Sequence, residues 1–468
     1  MTDAVVVGSG PNGLAAAVTL AQAGVRVTVL EAADRIGGGT RSGELTLPGL
    51  LHDECSAFHP TALASPFLRS LELDITWRWP PLDLAHPLDD GPPGVLSRSM
   101  DDTTASLGAD GPSWRRLFQP LSTMYADLAV DILRPVLRFP RHPLSLARFG
   151  LSAVQPATLL ARRFRHAQAR ALVGGVAAHQ IHPLTGLFSA SVGLALTAAG
   201  HAYGWPVAEG GSRAIADALA AVLRQHGGSI STGVTVDQYD QLRGADIVML
   251  DLTPAAAARI LGDRLPGRVA RAYRRYAYGP GAFKLDLAVE GGIPWRDEEC
   301  RRAGTVHLGG TLEEMVASEA AVAAGRLPDR PFVLIGQQYL ADPGRSSGDL
   351  HPVWAYAHVP AGYTGNATEA ILAQIERFAP GVRDRVRARS TRGPAELAAY
   401  NANYIGGDIG TGRNDPRQLL LRPRLALNPY RTGVPGVYLC SAATPPGAGV
   451  HGMCGHLAAR SALATLSR

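Results

Sequence analysis

The beginning of the chain constrains its fold more than any other feature. Asp3 to Val7 is a short apolar run, Gly8-Ser9-Gly10-Pro11-Asn12-Gly13 is a turn with three glycines, Leu14 to Ala23 has helical composition, and Val25 to Leu30 is a second apolar run ending at Glu31. Strand, glycine turn, helix and strand make a βαβ unit, which requires a parallel sheet covered by helices. Each glycine has its own reason. Gly8 allows the tight turn, Gly10 lets the backbone approach a pyrophosphate, and Gly13 lets the helix lie close on the strand, with Ser9, Pro11 and Asn12 completing the phosphate turn. Glu31, 18 residues past Gly13, stands where a carboxylate accepts bonds from a ribose hydroxyl. The N-terminal unit is expected to hold a dinucleotide.

The rest of the chain narrows the class. With 468 residues, 46% hydrophobic and 18% charged, it has enough apolar material for two or three packed domains. A net charge of +5 and 6% aromatics are too little for a nucleic-acid binder that interleaves basic and stacking residues, so no nucleic-acid partner is expected. Cys55, Cys300, Cys440 and Cys454 are widely spaced, with no CxxC pair. A structural metal or redox disulfide is not expected, and reduced thiols suit the cytoplasm. The N-terminus lacks the basic and apolar regions of a signal peptide. The longest run without Asp, Glu, Lys or Arg, Ala171 to Ala208, is interrupted by His179, His182, Pro183, His201 and Pro206 and is not a membrane span.

After Glu31 comes Ala32 and then Ala33-Asp34-Arg35-Ile36-Gly37-Gly38-Gly39-Thr40-Arg41-Ser42. This segment resembles the flavoprotein superfamily of amine oxidases and phytoene desaturases, whose acidic strand end is followed by an arginine and a glycine doublet. The resemblance implies non-covalent FAD, with Ala32, Arg35, Gly38, Gly39, Thr40 and Arg41 beside it and Arg35 offering a cation near the diphosphate. Two distant segments are similar to the same superfamily. Trp205-Pro206-Val207-Ala208-Glu209-Gly210-Gly211-Ser212 opens a helix with Ile215, Leu219, Val222 and Leu223 on one side, followed by a strand from Ser229 to Val236; by resemblance the backbone near Val234 contacts the adenine. Gly436 to Ala442 reads as a strand, and Thr444 to Met453 leads into the last helix. By resemblance Gly449, Val450 and Met453 face the flavin's pyrimidine carbonyl, where helix N–H groups stabilise negative charge. This C-terminal signature resembles bacterial phytoene desaturase-related proteins and the pyridine nucleotide-disulfide oxidoreductase domain-containing protein 2 group. A second strand-GxGxxG-helix unit for a nicotinamide is absent from the sequence.

The expected fold class is α/β: a Rossmann-type, glutathione reductase-like FAD domain of the amine oxidase and phytoene desaturase type, with an interleaved α+β substrate domain. The FAD domain is assembled from 1–75, 205–255 and 425–468. The substrate domain takes 76–204 and 256–424, with a helical insertion over 105–204 and a mixed sheet over 265–424. Alternating apolar residues make Ala282 to Val289 and Val353 to Val359 strands, and 365–378 reads as a helix.

The implied reaction moves a hydride from a C–H bond of a mostly apolar small molecule to flavin N5, with dioxygen or a quinone as the final acceptor. The alternatives are a flavin amine oxidase, or a flavoprotein whose FAD is redox-neutral or structural. Three residues are catalytic candidates. Lys284 is the only lysine among 45 Lys plus Arg, and by resemblance a lysine on this strand holds a water at N5. His59 and His451 are candidate acid–base groups, each against a purely structural role. Finally, no acidic residue occurs from Ile132 to Ala208, while arginines stand at 134, 138, 141, 148, 162, 163, 165 and 170. Such a segment is suited to an anionic membrane surface, making a cytoplasmic protein peripheral on the inner face of the membrane. The alternative is a solvated or internally paired arginine face.

Overall fold

The computed structural model describes residues 2–466. The βαβ unit is present: Asp3–Val7 and Arg26–Leu30 are parallel neighbours joined through the helix Pro11–Gln22. That helix starts with Gly10 extended and Pro11 at its first position, where the missing N–H has no intrahelical partner to lose. Ten of its twelve residues are buried. Ala15, Ala16 and Ala17 keep it slim enough to lie between the helices Arg213–Gln225 and Met453–Leu466. The contact with the last helix is tight: a Cβ on Gly455 would fall 1.7 Å from the Asn12 carbonyl oxygen.

Strands from the beginning, middle and end of the chain share one parallel sheet. Its order is Val437–Leu439, Ile247–Leu250, Asp3–Val7, Arg26–Leu30, Ser229–Ser231. The last strand is shorter than the run from Ser229 to Val236 suggests. Beyond it, Gly233 and Val234 donate their N–H groups to the carbonyls of Ala33 and Glu31 at 2.8 Å each.

A seven-stranded sheet forms the second layer system, ordered Val386–Arg392, Gly281–Glu290, Leu350–Val359, Val333–Gly336, Ala303–Leu308, Leu82–His86, Gly94–Leu96. Strand alternation gives it two unlike faces. Phe283, Leu285 and Leu287 pack on one side with Ile371, Leu372 and Ile375 of the helix Thr368–Phe378. The other side brings Lys284 beside Tyr356, Asp286 beside Trp354, and Thr305 beside Gly336. Facing it are the helices between Met100 and Tyr203.

One expected boundary moves. The second part of the substrate domain was placed from 256, yet the helices Pro254–Leu261 and Gly267–Arg274 bury Ala257, Ile260, Val269 and Tyr273 together with Val7, Leu250 and Leu439. Their apolar stripes cover one face of the parallel sheet, and the chain returns to the second sheet, to which it has already given Leu82–His86 and Gly94–Leu96, at Gly281.

Candidate functional site

Gly8 sits at φ +99°, a left-handed conformation that glycine adopts without strain, and turns the chain from strand into helix. A Cβ on Gly13 would fall 2.1 Å from the Gly8 carbonyl oxygen, and one on Gly38 3.0 Å from Gly10 Cα. The glycines therefore bring two backbones together, with Gly37 N–H donating to Ser9 O at 3.0 Å. Gly8, Ser9, Gly10, Pro11 and Asn12 line the hollow so formed. The helix N-terminus faces it, an arrangement that attracts an anion. Gly13 itself is behind the wall, its N–H donating to Asp251 Oδ2 at 2.9 Å.

Glu31 is buried at the rim. Its Oε2 accepts from the Ser9 N–H at 2.8 Å and the Ser9 hydroxyl at 2.6 Å, and its Oε1 from Ala33 N–H at 2.9 Å and Arg41 at 3.3 Å. Ala32, Gly38, Gly39, Thr40, Arg41 and Val234 also line this end. Arg35 does not reach it. Its guanidinium pairs with Glu54 at 2.9 Å, because Glu54 is buried and draws both Arg35 and Arg392. Arg41 supplies the cation on the wall instead, held by Glu31 and by the carbonyls of Arg35 and Tyr400.

Asp251 is a wall residue to which the sequence assigned no role. Burial pushes its carboxyl up to about 7, with Glu31 adding to the effect and the Gly13 N–H opposing it. Its position at the end of Ile247–Leu250, the strand next to the first, was the available signal.

At the C-terminal turn Gly449, Val450 and His451 line the cavity, whereas Met453 does not. Met453 N–H donates to His451 Nδ1 at 3.1 Å, so the imidazole closes the start of the last helix. That bond assigns the remaining ring proton to Nε2. His451 Nε2 has no protein partner, and burial holds the ring down to about 4, neutral at physiological pH.

The other two catalytic candidates lie outside the cavity lining. His59 is buried with Nε2 against Ser212 Oγ at 2.8 Å, and burial lowers it to about 4. Lys284 is 3% exposed and forms an ion pair with Asp286, whose other oxygen is 3.4 Å from His52 Nδ1. Burial pushes the Asp286 carboxyl up, but Lys284 and His52 together hold it below its usual range.

The dinucleotide hollow continues into a larger space, about 1000 Å³ in all. Trp354, Tyr356 and Thr305 from the sheet, Phe149 and Leu196 from the helices, and Tyr404 form its far walls. Of the charged side chains there, Asp131 pairs with Arg134 at 2.6 Å and Asp408 accepts N–H bonds from Gly279, Gly410 and Gly412, while Arg138, Arg259 and Arg413 are exposed at the rim. Thr305 Oγ1 and Trp354 Nε1 have no partner. The aromatic pairs stand edge-on or tilted, Trp354 to Tyr356 at 81° and Tyr400 to Tyr404 at 39°.

Cys55 lines the cavity, and the two acidic residues before it are buried behind that wall. Asp53 takes Arg345 at 2.6 Å, Ser42 Oγ at 2.8 Å and Ser212 N–H at 2.7 Å, while Glu54 takes Arg392 at 2.9 Å. Cys55 beside them is pushed up by burial although Tyr404 hydrogen-bonds it. All four cysteines are free.

A model of the NAD(P)-binding Rossmann-like domain matches residues 6–70. The chain is 24% identical to pyridine nucleotide-disulfide oxidoreductase domain-containing protein 2 of Mus musculus, over 98% of this chain and 92% of that protein. It is 24% identical to an uncharacterised protein of Mycobacterium tuberculosis over 99% and 97%. Among solved structures, an oxidoreductase from Methanosarcina mazei matches all of both chains with TM-score 0.63 at 15% identity. Putrescine oxidase matches with TM-score 0.61 at 18% identity, over 100% of this chain and 99% of that one. Cyclohexylamine oxidase from Brevibacterium oxydans, covered fully on both sides, gives 0.57 at 18%. The chain shares their fold.

Proposed function

We propose that this chain is an FAD-dependent oxidoreductase acting on a C–H bond of a mostly apolar small molecule. The observation that carries the reading is the continuity of the glycine hollow with a cavity walled mainly by apolar and aromatic side chains, Phe149, Leu196, Trp354, Tyr356 and Tyr404 among them. The hollow fits a dinucleotide diphosphate: a Cβ at Gly13 or Gly38 would close it, and Asn12 Oδ1 is buried there without a partner. Gly10 and Asn12 at the helix start would hold the diphosphate, Glu31 would stand at the ribose and Val234 at the adenine. Bound there, FAD would supply a two-electron acceptor for the hydride, with dioxygen or a quinone as the final acceptor. The protein's part is to orient the substrate, exclude water and offer His451 Nε2–H as a neutral donor at the C-terminal turn.

Putrescine oxidase and cyclohexylamine oxidase share this fold, which supports a second reading, a flavin amine oxidase. The edge-on aromatic pairs give no facing rings to sandwich an amine. The test has two steps. Heating or acidifying the purified yellow protein should release intact FAD, and flavin that stays with the precipitate overturns the non-covalent site. Anaerobic bleaching is then scored with apolar compounds extracted from the protein and with primary amines. Bleaching by amines alone replaces the first reading with the second, and bleaching by neither leaves a redox-neutral or structural FAD.

A further inference from the structure

The arginine-rich segment contains a helix that carries leucines on its outward side as well. In Pro143–Ala153, Leu144, Ala147, Arg148 and Leu151 are exposed at i, i+3, i+4 and i+7, with Leu144 85% and Leu151 74% exposed. The opposite side buries Phe149 and Ala153 together with Ser145 and Ser152. A helix on a water-facing surface turns its polar side outward; this one presents leucines. The preceding loop extends the same character, with Phe139 92% and Val136 58% exposed. Arg138, Arg141 and Arg148 are exposed among these apolar groups. Of the segment's eight arginines, Arg134 pairs with Asp131 and Arg170 with Glu313. The other six have no carboxylate within ion-pair distance among the described residues. Val136 and Val154 are both exposed and part of the cavity wall, so the patch surrounds an opening.

We infer that this patch docks on an anionic bilayer surface, with Phe139, Leu144 and Leu151 entering the headgroup boundary and the arginines meeting lipid phosphates. Charge selects this occupant. A second copy of the chain would set unpaired arginines against unpaired arginines, whereas an anionic bilayer offers opposite charge and an apolar layer together. An apolar compound then passes from the bilayer into the cavity without crossing water; that step rests on the substrate reading above, while the docking does not. The association is peripheral: among the described residues no helix is long and apolar enough to cross a membrane.

Co-sedimentation of the holoprotein with vesicles of phosphatidylcholine alone, and of phosphatidylcholine with phosphatidylglycerol, tests the docking without any turnover. The anionic vesicles should bind at least about tenfold more tightly, and added salt should weaken them. The triple variant Arg138→Gln, Arg141→Gln, Arg148→Gln should lose roughly fivefold per arginine on anionic vesicles. The variant Phe139→Ser, Leu144→Ser, Leu151→Ser should lose binding to both kinds. Because the replaced residues are exposed, bound flavin and far-UV circular dichroism should stay unchanged and certify the fold. Equal sedimentation with and without lipid, or binding indifferent to lipid charge and to the arginine variant, overturns the inference. A dimer in solution that Leu144→Ser with Leu151→Ser dissociates, without vesicle binding, assigns the patch to a second copy instead.

Discussion

Replacing Lys284 by Met separates two physical roles for the chain's single lysine. The structure buries its ammonium in an ion pair with Asp286, at 3% and 1% exposure. Met keeps most of the aliphatic stem and removes the charge, so the packing survives and the carboxylate loses its closest partner. Breaking a buried pair from one side costs about 3–5 kcal/mol. His52 remains 3.4 Å from the other oxygen, which favours the lower end, about 3 kcal/mol. At a urea slope near the top of the usual range, about 3 kcal/mol per M, the midpoint should fall by roughly 1 M. The double variant Lys284→Met, Asp286→Asn removes both charges and should recover most of the loss. The sign with pH follows from the carboxyl. Asp286 is held below its usual value in the folded state, so its contribution is present above the unfolded value of about 3.9 and is lost as pH falls through the folded one. The gap between wild type and Lys284→Met should be steady near neutrality and close in strong acid. Urea unfolding followed by tryptophan fluorescence, with flavin content and stopped-flow reduction measured beside it, decides the matter. An unchanged midpoint with reduction slowed roughly 10- to 1000-fold would refute the structural role and put the ammonium at the flavin.

Three further outcomes are expected. Gly13→Ala, whose methyl would meet the Gly8 carbonyl at 2.1 Å, should lose about 1–3 kcal/mol to overpacking and purify with little flavin absorbance; full yellow colour rejects the cradle. NADH and NADPH should reduce the flavin more slowly than about 1 s⁻¹ in anaerobic stopped flow, since one dinucleotide unit is present and FAD fills it; faster bleaching reveals a second site. Burial lowers His59, His86, His179, His201, His451 and His456 to about 4. The unfolded chain therefore takes up protons first as pH falls below about 6.5, and each histidine withdraws up to about 1.4 kcal/mol per pH unit until its folded value is reached. Unfolding temperature should drop steeply between neutrality and mild acid, and a flat profile contradicts neutral burial.

The dinucleotide half of the site was legible because its requirements are local. Gly8, Gly10 and Gly13 answer to contacts a few residues away, and Glu31 closes on Ser9 within one βαβ unit. Fold class followed from the same unit and from the alternation in Gly281–Glu290. What the sequence could not reveal depends on distant partners. Arg35 looked like the cofactor's cation, but Glu54, 19 positions on, captures it. Asp251 gains its place only when Ile247–Leu250 pairs beside Asp3–Val7, 243 residues from its start to Asp246. The alternation correctly put Lys284 and Asp286 on one face, yet the depth of that face under the strand Leu51–Asp53 depends on packing between elements. His86, His179 and His307 gather although they are spread over the chain, with ring centroids 4.9 Å apart for His179 and His307 and 6.3 Å for His86 and His307. Spacing along the sequence held no sign of them.

The same distant pairs bear on how a substrate reaches the cavity. Asp53 in the first domain is fully buried against Arg345 of the second, and Glu54, 1% exposed, is held by Arg392 of the edge strand Val386–Arg392. Asp342 adds a bond to Gly210 N–H at 2.9 Å across the same seam. Opening the domains like a hinge would take Arg345 from Asp53 and Arg392 from Glu54, leaving Glu54 with Arg35 alone. Buried pairs of this kind set the seam apart from the weakly held parts of a fold, from which lid motions are drawn. The exposed end of the cavity at Val136 and Val154 is a loop and one helix of a single segment, tied locally by Asp131, which takes Arg134 and the N–H groups of Arg141 and His142, with the helix's outward leucines largely exposed. Passage through that end needs only side-chain movement, so the seam can stay closed around the dinucleotide while the substrate path remains open at the patch.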